Sequence, residues 1–242
     1  MKILEILIKA VWQLDIPYRH PQGFSTHVDL GAGNNPRNPF RATSLQVTDF
    51  HEEVESSNNS NFIQCDITKN LPFLDSTIDS FSAYDVLEHI PRWERVRNEQ
   101  GVEQIVFPFI NLMNEIHRAL KPGGLLYAVT PAFPSPASFQ DPTHINFITV
   151  HTKDYFTGHA PIAKTLGYGF EGSFIEITQT WVRRHKGALG QNSGLLPSCL
   201  NGLQIYKYAF QLKNIRAMIS MALRWFQRKP THLLWVFQKP IA

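Results

Sequence analysis

Apolar residues fall in short runs along the chain, separated by glycine, proline and polar turns. The stretch THVDLGAG (26–33) reads as a short buried strand that runs into a glycine turn. TSLQVTDF (43–50) is a second strand ending at an acid, and NFIQCDIT (61–68) is a third. STIDSFSAYDVLEHI (76–90) is strand-like through Tyr84 and then turns helical. Over 103–120, Ile105, Phe109, Leu112, Ile116 and Leu120 recur at helical spacing, with Pro108 starting or kinking the helix. KPGG (121–124) stops it, and LLYAVTP (125–131) is a fifth strand. GSFIEITQTWV (172–182) and HLLWVFQK (232–239) form a closing antiparallel pair. Strands alternating with helical or loop segments specify an α/β fold with a mostly parallel sheet, and the final pair makes one edge mixed.

Open α/β sheets bind ligands at the carboxyl ends of their strands. DLGAG puts Gly31 and Gly33 at such an end, where backbone can approach a ligand closely. Asp49, at the end of the second strand, is placed to accept hydrogen bonds from both hydroxyls of a ribose. Together these point to an adenosine-type cofactor. A dinucleotide is disfavoured, because Pro36 stands where its third glycine would be. NNPRNPFRAT (34–43) also leaves little room for a helix to hold a pyrophosphate.

With VDLGAG, the acid of VTDF, CDI, AYDVLEHI and LKPGGLLYAVTP in this order over roughly 26–131, the chain resembles the class I S-adenosylmethionine-dependent methyltransferases, methyltransferase type 11-like. The resemblance implies a Rossmann-like, doubly wound seven-stranded sheet, mostly parallel with an antiparallel last strand. It implies S-adenosyl-L-methionine as cofactor. Gly31, Ala32 and Gly33 would approach its methionine part, and Asp29 would hold that loop and, through water, the amino group. Asp49 would bind the ribose, Asp66 the adenine amino group, and Ile67 would pack on the ring. The turn at Tyr84 and Asp85 would lie near the methionine end. Asp29 as a strand-end cap and Asp85 as a helix N-cap are the purely structural alternatives. The broken first helix leaves Asn34, Asn35 and Arg37 without assigned roles.

Methyl transfer needs orientation above all, and a hydroxyl acceptor must also lose its proton. Candidates follow the fourth and fifth strands: Glu88 and His89, then Asp141, His144 and His151 around FQDPTHINFIT (139–149). His144 is the first choice for a base, oriented by Asp141, with His89 as a further catalytic candidate. A turn at Asp141–Pro142 with His144 on a backbone group, and Glu88 and His89 as first-turn helix residues, are the structural readings. Asp141, His144 and His151 also offer mixed nitrogen and oxygen donors, as in cation-dependent methyltransferases that clamp a catechol. Nothing else matches those enzymes' spacing, and no metal is expected. Phe133, Phe139, Phe147, Tyr155 and Phe156 crowd this region, at least half of them expected in the core.

Composition changes the picture in one place. Charged residues make up 18% of the 242, an ordinary share, and the net charge is +3. Yet no Asp or Glu follows Glu176, while ten Lys and Arg do. We expect one domain, 1–242, with a basic helical insert at about 183–229 before the last strand. Its second part, near 213–227, has the look of a basic amphipathic helix. It would contact an anionic partner or a membrane surface, or hide a core face. MKILEILIKAVWQL at the N-terminus reads as an amphipathic helix packed on the domain, without the small-residue cleavage site of a signal peptide. Cys65 and Cys199 make no disulfide framework, which favours a reducing, cytoplasmic location, with peripheral membrane contact as an option. The expected activity is O-methylation of a small-molecule or saccharide-type acceptor. Nucleic-acid methylation is the second enzyme reading, disfavoured because AYDV stands where a target-base motif would be. A non-catalytic methyltransferase-like binding module is the third.

Overall fold

The structure, a computed structural model, describes residues 23–51, 61–98, 100–182 and 230–241. The N-terminal amphipathic helix, the 183–229 insert and Cys199 therefore lie outside the described residues. Seven strands form one sheet: β1 (Thr26–Leu30), β2 (Ser44–Asp49), β3 (Phe62–Gln64), β4 (Ile78–Tyr84), β7 (Leu120–Pro131), β8 (Ile175–Val182) and β9 (His232–Gln238). Their order is β3-β2-β1-β4-β7-β9-β8. β1 pairs in parallel with both β2 and β4, and β4 with β7. β9 runs antiparallel to β7 and β8. The chain winds outward one way from β1 to β3, then returns to β4 and winds the other way. The switch point lies between β1 and β4, where a ligand crevice forms.

Alternation along β7 explains why it is central. Leu126 and Ala128 join the larger core cluster, whereas Leu125, Tyr127 and Val129 join a second cluster on the opposite face with Phe40, Leu234 and Val236. Helix α1 (Pro108–Ala119) lays Phe109, Leu112, Met113, Ile116 and Ala119 against the larger cluster. Its Arg118 bridges Glu115 and Asp75 and donates to the carbonyls of Leu71 and Phe73, fastening the loop before β4 to the helix. A short helix, α2 (Ile162–Thr165), precedes β8.

Two expectations change. The helix does not begin at 103: Glu103–Val106 is strand β6, paired antiparallel with β5 (Glu94–Arg97). The β-branched Val96, Ile105 and Val106 suit an extended hairpin, and Pro108 fits the first helical turn, where its missing N–H costs nothing. Ile105 is consequently exposed and Leu120 belongs to β7. The fifth strand also starts earlier than 125. The helix ends at Ala119, and KPGG lies within the strand, where Gly123 has a φ of +79°. No helix among the described residues is long and apolar enough to cross a membrane.

Candidate functional site

The ends of β1, β2 and β4 come together at the switch point. Gly31 leaves β1 with a φ of +60°, and a Cβ there would meet Val86 Cγ2 at 2.7 Å. Gly33 has a φ of +51°, but a Cβ on it would meet nothing within 4 Å. The first glycine thus lets the turn settle onto Val86, while the second faces open space. Ala32 is pinned between them: its N–H donates to the Thr48 carbonyl at 3.0 Å. Asp49 closes the turn from β2. Its Oδ2 accepts from Gly33 N–H at 2.9 Å and its Oδ1 from His51 N–H at 3.0 Å.

Asp29 lies beneath the turn, 1% exposed. Oδ2 accepts from Arg37 N–H at 2.6 Å and Oδ1 from Ser82 Oγ at 2.5 Å. Burial pushes its carboxyl up to about 7, against the pull of these two hydrogen bonds and the Arg37 charge. The Ser82 hydroxyl also lies 2.8 Å from His27 Nε2, and Ser80 Oγ lies 2.8 Å from His27 Nδ1. When Asp29 is ionised and Ser82 donates to it, the imidazole donates through Nε2, and Nδ1 then accepts from Ser80. Burial brings the His27 ring down to about 3, so it is neutral. Strand periodicity builds this chain: positions 27 and 29 share one face of β1, and 80 and 82 face them on β4.

No helix forms between β1 and β2; the link is a loop. Asn38 takes over, accepting from Ala42 N–H and donating to Ala42 O, both at 2.9 Å. Phe40 anchors the loop edge-on to Tyr127. Arg37 then lies 4.9 Å above the Tyr84 ring. Its Nη1 and the Tyr84 hydroxyl are both buried without a hydrogen-bond partner among the described residues.

Asp66 caps the turn after β3, Oδ1 accepting from Thr68 N–H at 3.0 Å and Thr68 Oγ1 at 2.6 Å. Ile67 packs against the edge of the core. Asp85 is not a helix N-cap. Its φ is +54°, Val86 occupies the cap position, and its Oδ1 lies 3.0 Å from His232 Nε2 of β9.

Past Val86, the 3-10 turn Leu87–His89 carries the second group of residues. Glu88 is 1% exposed and its Oε2 accepts from Thr130 Oγ1 at 2.9 Å. Its carbonyl accepts from the N–H groups of Ile145 and Asn146, which ties the 139–149 stretch to the 3-10 turn after β4. His144 thereby reaches Glu88, Nε2 to Oε1 3.9 Å, and its ring meets His89 edge-on at 4.9 Å between centroids. Asp141 Oδ2 lies 3.9 Å from the same Nε2. Asp141 makes its turn as well, accepting from Thr143 N–H at 2.9 Å and Thr143 Oγ1 at 2.6 Å, and these bonds hold its carboxyl below the usual range. His151 is elsewhere: its side chain is 86% exposed and pairs with Asp154, so the set Asp141, His144 and His151 does not form. The aromatic expectation also fails. Only Phe156 is core, while Phe133, Phe139, Phe147 and Tyr155 are exposed, with Phe139 contacting both Phe133 and Phe147.

No family model and no curated protein matches the sequence. Solved structures do. A chain of the complex between the Haloferax volcanii Trm112 methyltransferase activator and a proposed methyltransferase aligns with 94% of this chain and 88% of its own, at 15% identity and a TM-score of 0.51. A SAM-dependent methyltransferase from Archaeoglobus fulgidus aligns with 96% and 93%, also at 15% identity and a TM-score of 0.51. The chain has the class I S-adenosylmethionine-dependent methyltransferase fold. In this methyltransferase fold the turn, Asp49 and the 3-10 turn were all marked by local sequence. His27, Ser80 and Ser82 were not singled out. Their signal was present as polar residues at alternate positions of strands whose intervening positions Val28 and Phe81 are core, a pattern that demands partners.

Proposed function

We propose that the protein transfers the methyl group of S-adenosylmethionine to an oxygen of a small-molecule or saccharide-type acceptor. The observation that carries this reading is adjacency: Val86 packs against Gly31, and Glu88 follows two residues later at the head of the His89–His144 group. A cofactor on the turn would lie beside that group. Asp49 would take the ribose hydroxyls on its remaining lone pairs, Asp66 the adenine amino group, and Ile67 one face of the ring. The open space at Gly33 suits the methionine part. Arg37 Nη1 and the Tyr84 hydroxyl are donors suited to its carboxylate. Asp29 would act from below by fixing Arg37 and the turn.

In the reaction the acceptor oxygen forms a bond to the methyl carbon, sulfur keeps the electron pair of the broken bond, and S-adenosylhomocysteine leaves. The hydroxyl proton is given up to the cluster of Glu88, His89, Asp141 and His144. The exposed rings of Phe133, Phe139 and Phe147 offer a platform for a sugar or ring-bearing acceptor. Calorimetric titration with S-adenosylmethionine and with NAD tests the cofactor, and a screen of acceptors with methyl-labelled cofactor tests the chemistry. Affinity for NAD alone overturns the reading. Cofactor affinity with no labelled product in any acceptor class favours a binding module.

A further inference from the structure

We infer that Glu88, His89 and His144 hold a divalent transition-metal ion of the zinc type. The three residues each offer one ligand atom, and these atoms lie within 4.8 Å of one another. The surrounding hydrogen bonds assign the free nitrogen of each ring. His144 Nδ1 lies 3.3 Å from the Ser138 carbonyl, which can only accept, so Nδ1 carries the proton. Around His89 Nδ1 stand the Thr143 carbonyl at 3.2 Å and Thr143 Oγ1 at 3.1 Å. That hydroxyl already gives its proton to Asp141, so both neighbours accept and Nδ1 is again the donor. Each ring is left with a bare Nε2. Pinning Nδ1–H on a backbone carbonyl is how proteins orient a histidine toward a metal.

Thr130 does the same for the carboxylate, holding Glu88 Oε2 and turning Oε1 to His144. His144 Nε2 then faces Oε1 and Asp141 Oδ2, each at 3.9 Å. That is too long for a hydrogen bond and sets the ring nitrogen between two carboxyl oxygens. Two metal–ligand bonds of about 2.1 Å at a tetrahedral angle separate their ligand atoms by about 3.4 Å, so the His144–Glu88 pair must close by about half an ångström and the widest pair by up to about 1.4 Å to admit one ion. Two imidazoles and a carboxylate suit zinc, cobalt or manganese; magnesium and calcium prefer all-oxygen sites. Three protein ligands leave a position for water or an acceptor hydroxyl, whose proton such an ion makes easier to remove. Only that last use rests on the proposed methyl transfer; the binding does not.

The test is metal binding by the full chain, stripped with a chelator and assayed without S-adenosylmethionine. Calorimetry with Zn2+ and visible absorption with Co2+ should give about one ion per chain, unaffected by millimolar Mg2+. His144→Ala, His89→Ala and Glu88→Gln should each weaken it by ten-fold or more, and His151→Ala should leave it unchanged. Glu88 is buried, so where Glu88→Gln fails to fold the two histidine variants decide. Absence of stoichiometric binding, or wild-type affinity in His144→Ala and His89→Ala, overturns the site. Loss of labelled product with metal binding intact would count against the methyl-transfer reading alone.

Discussion

The turn at Gly31–Gly33 and the cluster at Glu88–His144 are neighbours built on different plans. The turn is held by carboxylates whose oxygens already accept backbone N–H groups: Asp49 from Gly33 and His51, Asp29 from Arg37, Asp66 from Thr68. Its shape exists before a ligand arrives, so binding spends little on ordering. The cluster joins side chains more than fifty residues apart, and His144 Nε2 stands 3.9 Å from the carboxyl oxygens of both Glu88 and Asp141. Its aromatic surroundings are exposed. Under the proposed function the cofactor would meet a fixed cradle, and the acceptor site would close around what it receives.

Variants in the two regions should therefore fail differently. The largest effect is expected for His144→Ala: turnover lower by about 100-fold or more, as for loss of a group that handles a proton, with calorimetric cofactor affinity unchanged. Full turnover in this variant would remove His144 from the reaction. Asp49→Ala should do the reverse, weakening S-adenosylmethionine by roughly 10–100-fold through loss of charge-assisted hydrogen bonds. An unchanged dissociation constant would place the ribose elsewhere.

Two glycines sharpen the contrast on stability. Gly31→Ala combines a φ of +60° with a 2.7 Å clash on Val86 and should cost about 2–3 kcal/mol by urea denaturation. Gly33→Ala has the strain alone and should cost about 1 kcal/mol. Equal losses would mean that the packing of Gly31 on Val86 does not matter.

The smallest difference at neutral pH is expected beneath the turn. The neutral His27 ring takes up a proton on unfolding, so its contribution is present above 6.5 and lost as pH falls toward about 3. Asp29 keeps its proton in the fold to about 7 and releases it near 3.8 when unfolded, so its contribution is lost as pH rises across that window. The two slopes oppose each other between about 4 and 6.5. His27→Gln leaves the Asp29 slope uncovered, and stability relative to wild type should fall with rising pH there by up to about 1.4 kcal/mol per unit. A pH-independent difference would show that His27 titrates in the fold as it does unfolded.

Most of the strands and the turn were legible in the sequence because they are local. A glycine pair after VDL and an acid after VT lie within or beside the strands that place them. The hairpin of β5 and β6 was hidden because Ile105 fits both a helix stripe and an extended edge, and only the pairing of Glu94–Arg97 with Glu103–Val106 decides. The meeting of Glu88 with His144 was equally hidden. It depends on the Glu88 carbonyl capturing the N–H groups of Ile145 and Asn146, a contact between segments with no shared periodicity. Asp85 looked like a cap because the partner that claims it, His232, arrives almost 150 residues later.

The last two strands carry a consequence for how this chain could be re-engineered. Thr231 N–H donates to the Val182 carbonyl at 3.2 Å, so the chain departs from β8 and re-enters β9 through adjacent backbone. β8 runs parallel to β7, which puts that doorway at the end of the sheet where the glycine turn lies. In sequence, residues 183–229, with nine of the chain's Lys and Arg, lie between two strands that pair directly with each other. The doorway is a place to join the strands directly: a short turn from Val182 to Thr231 spans a gap that a backbone hydrogen bond already closes.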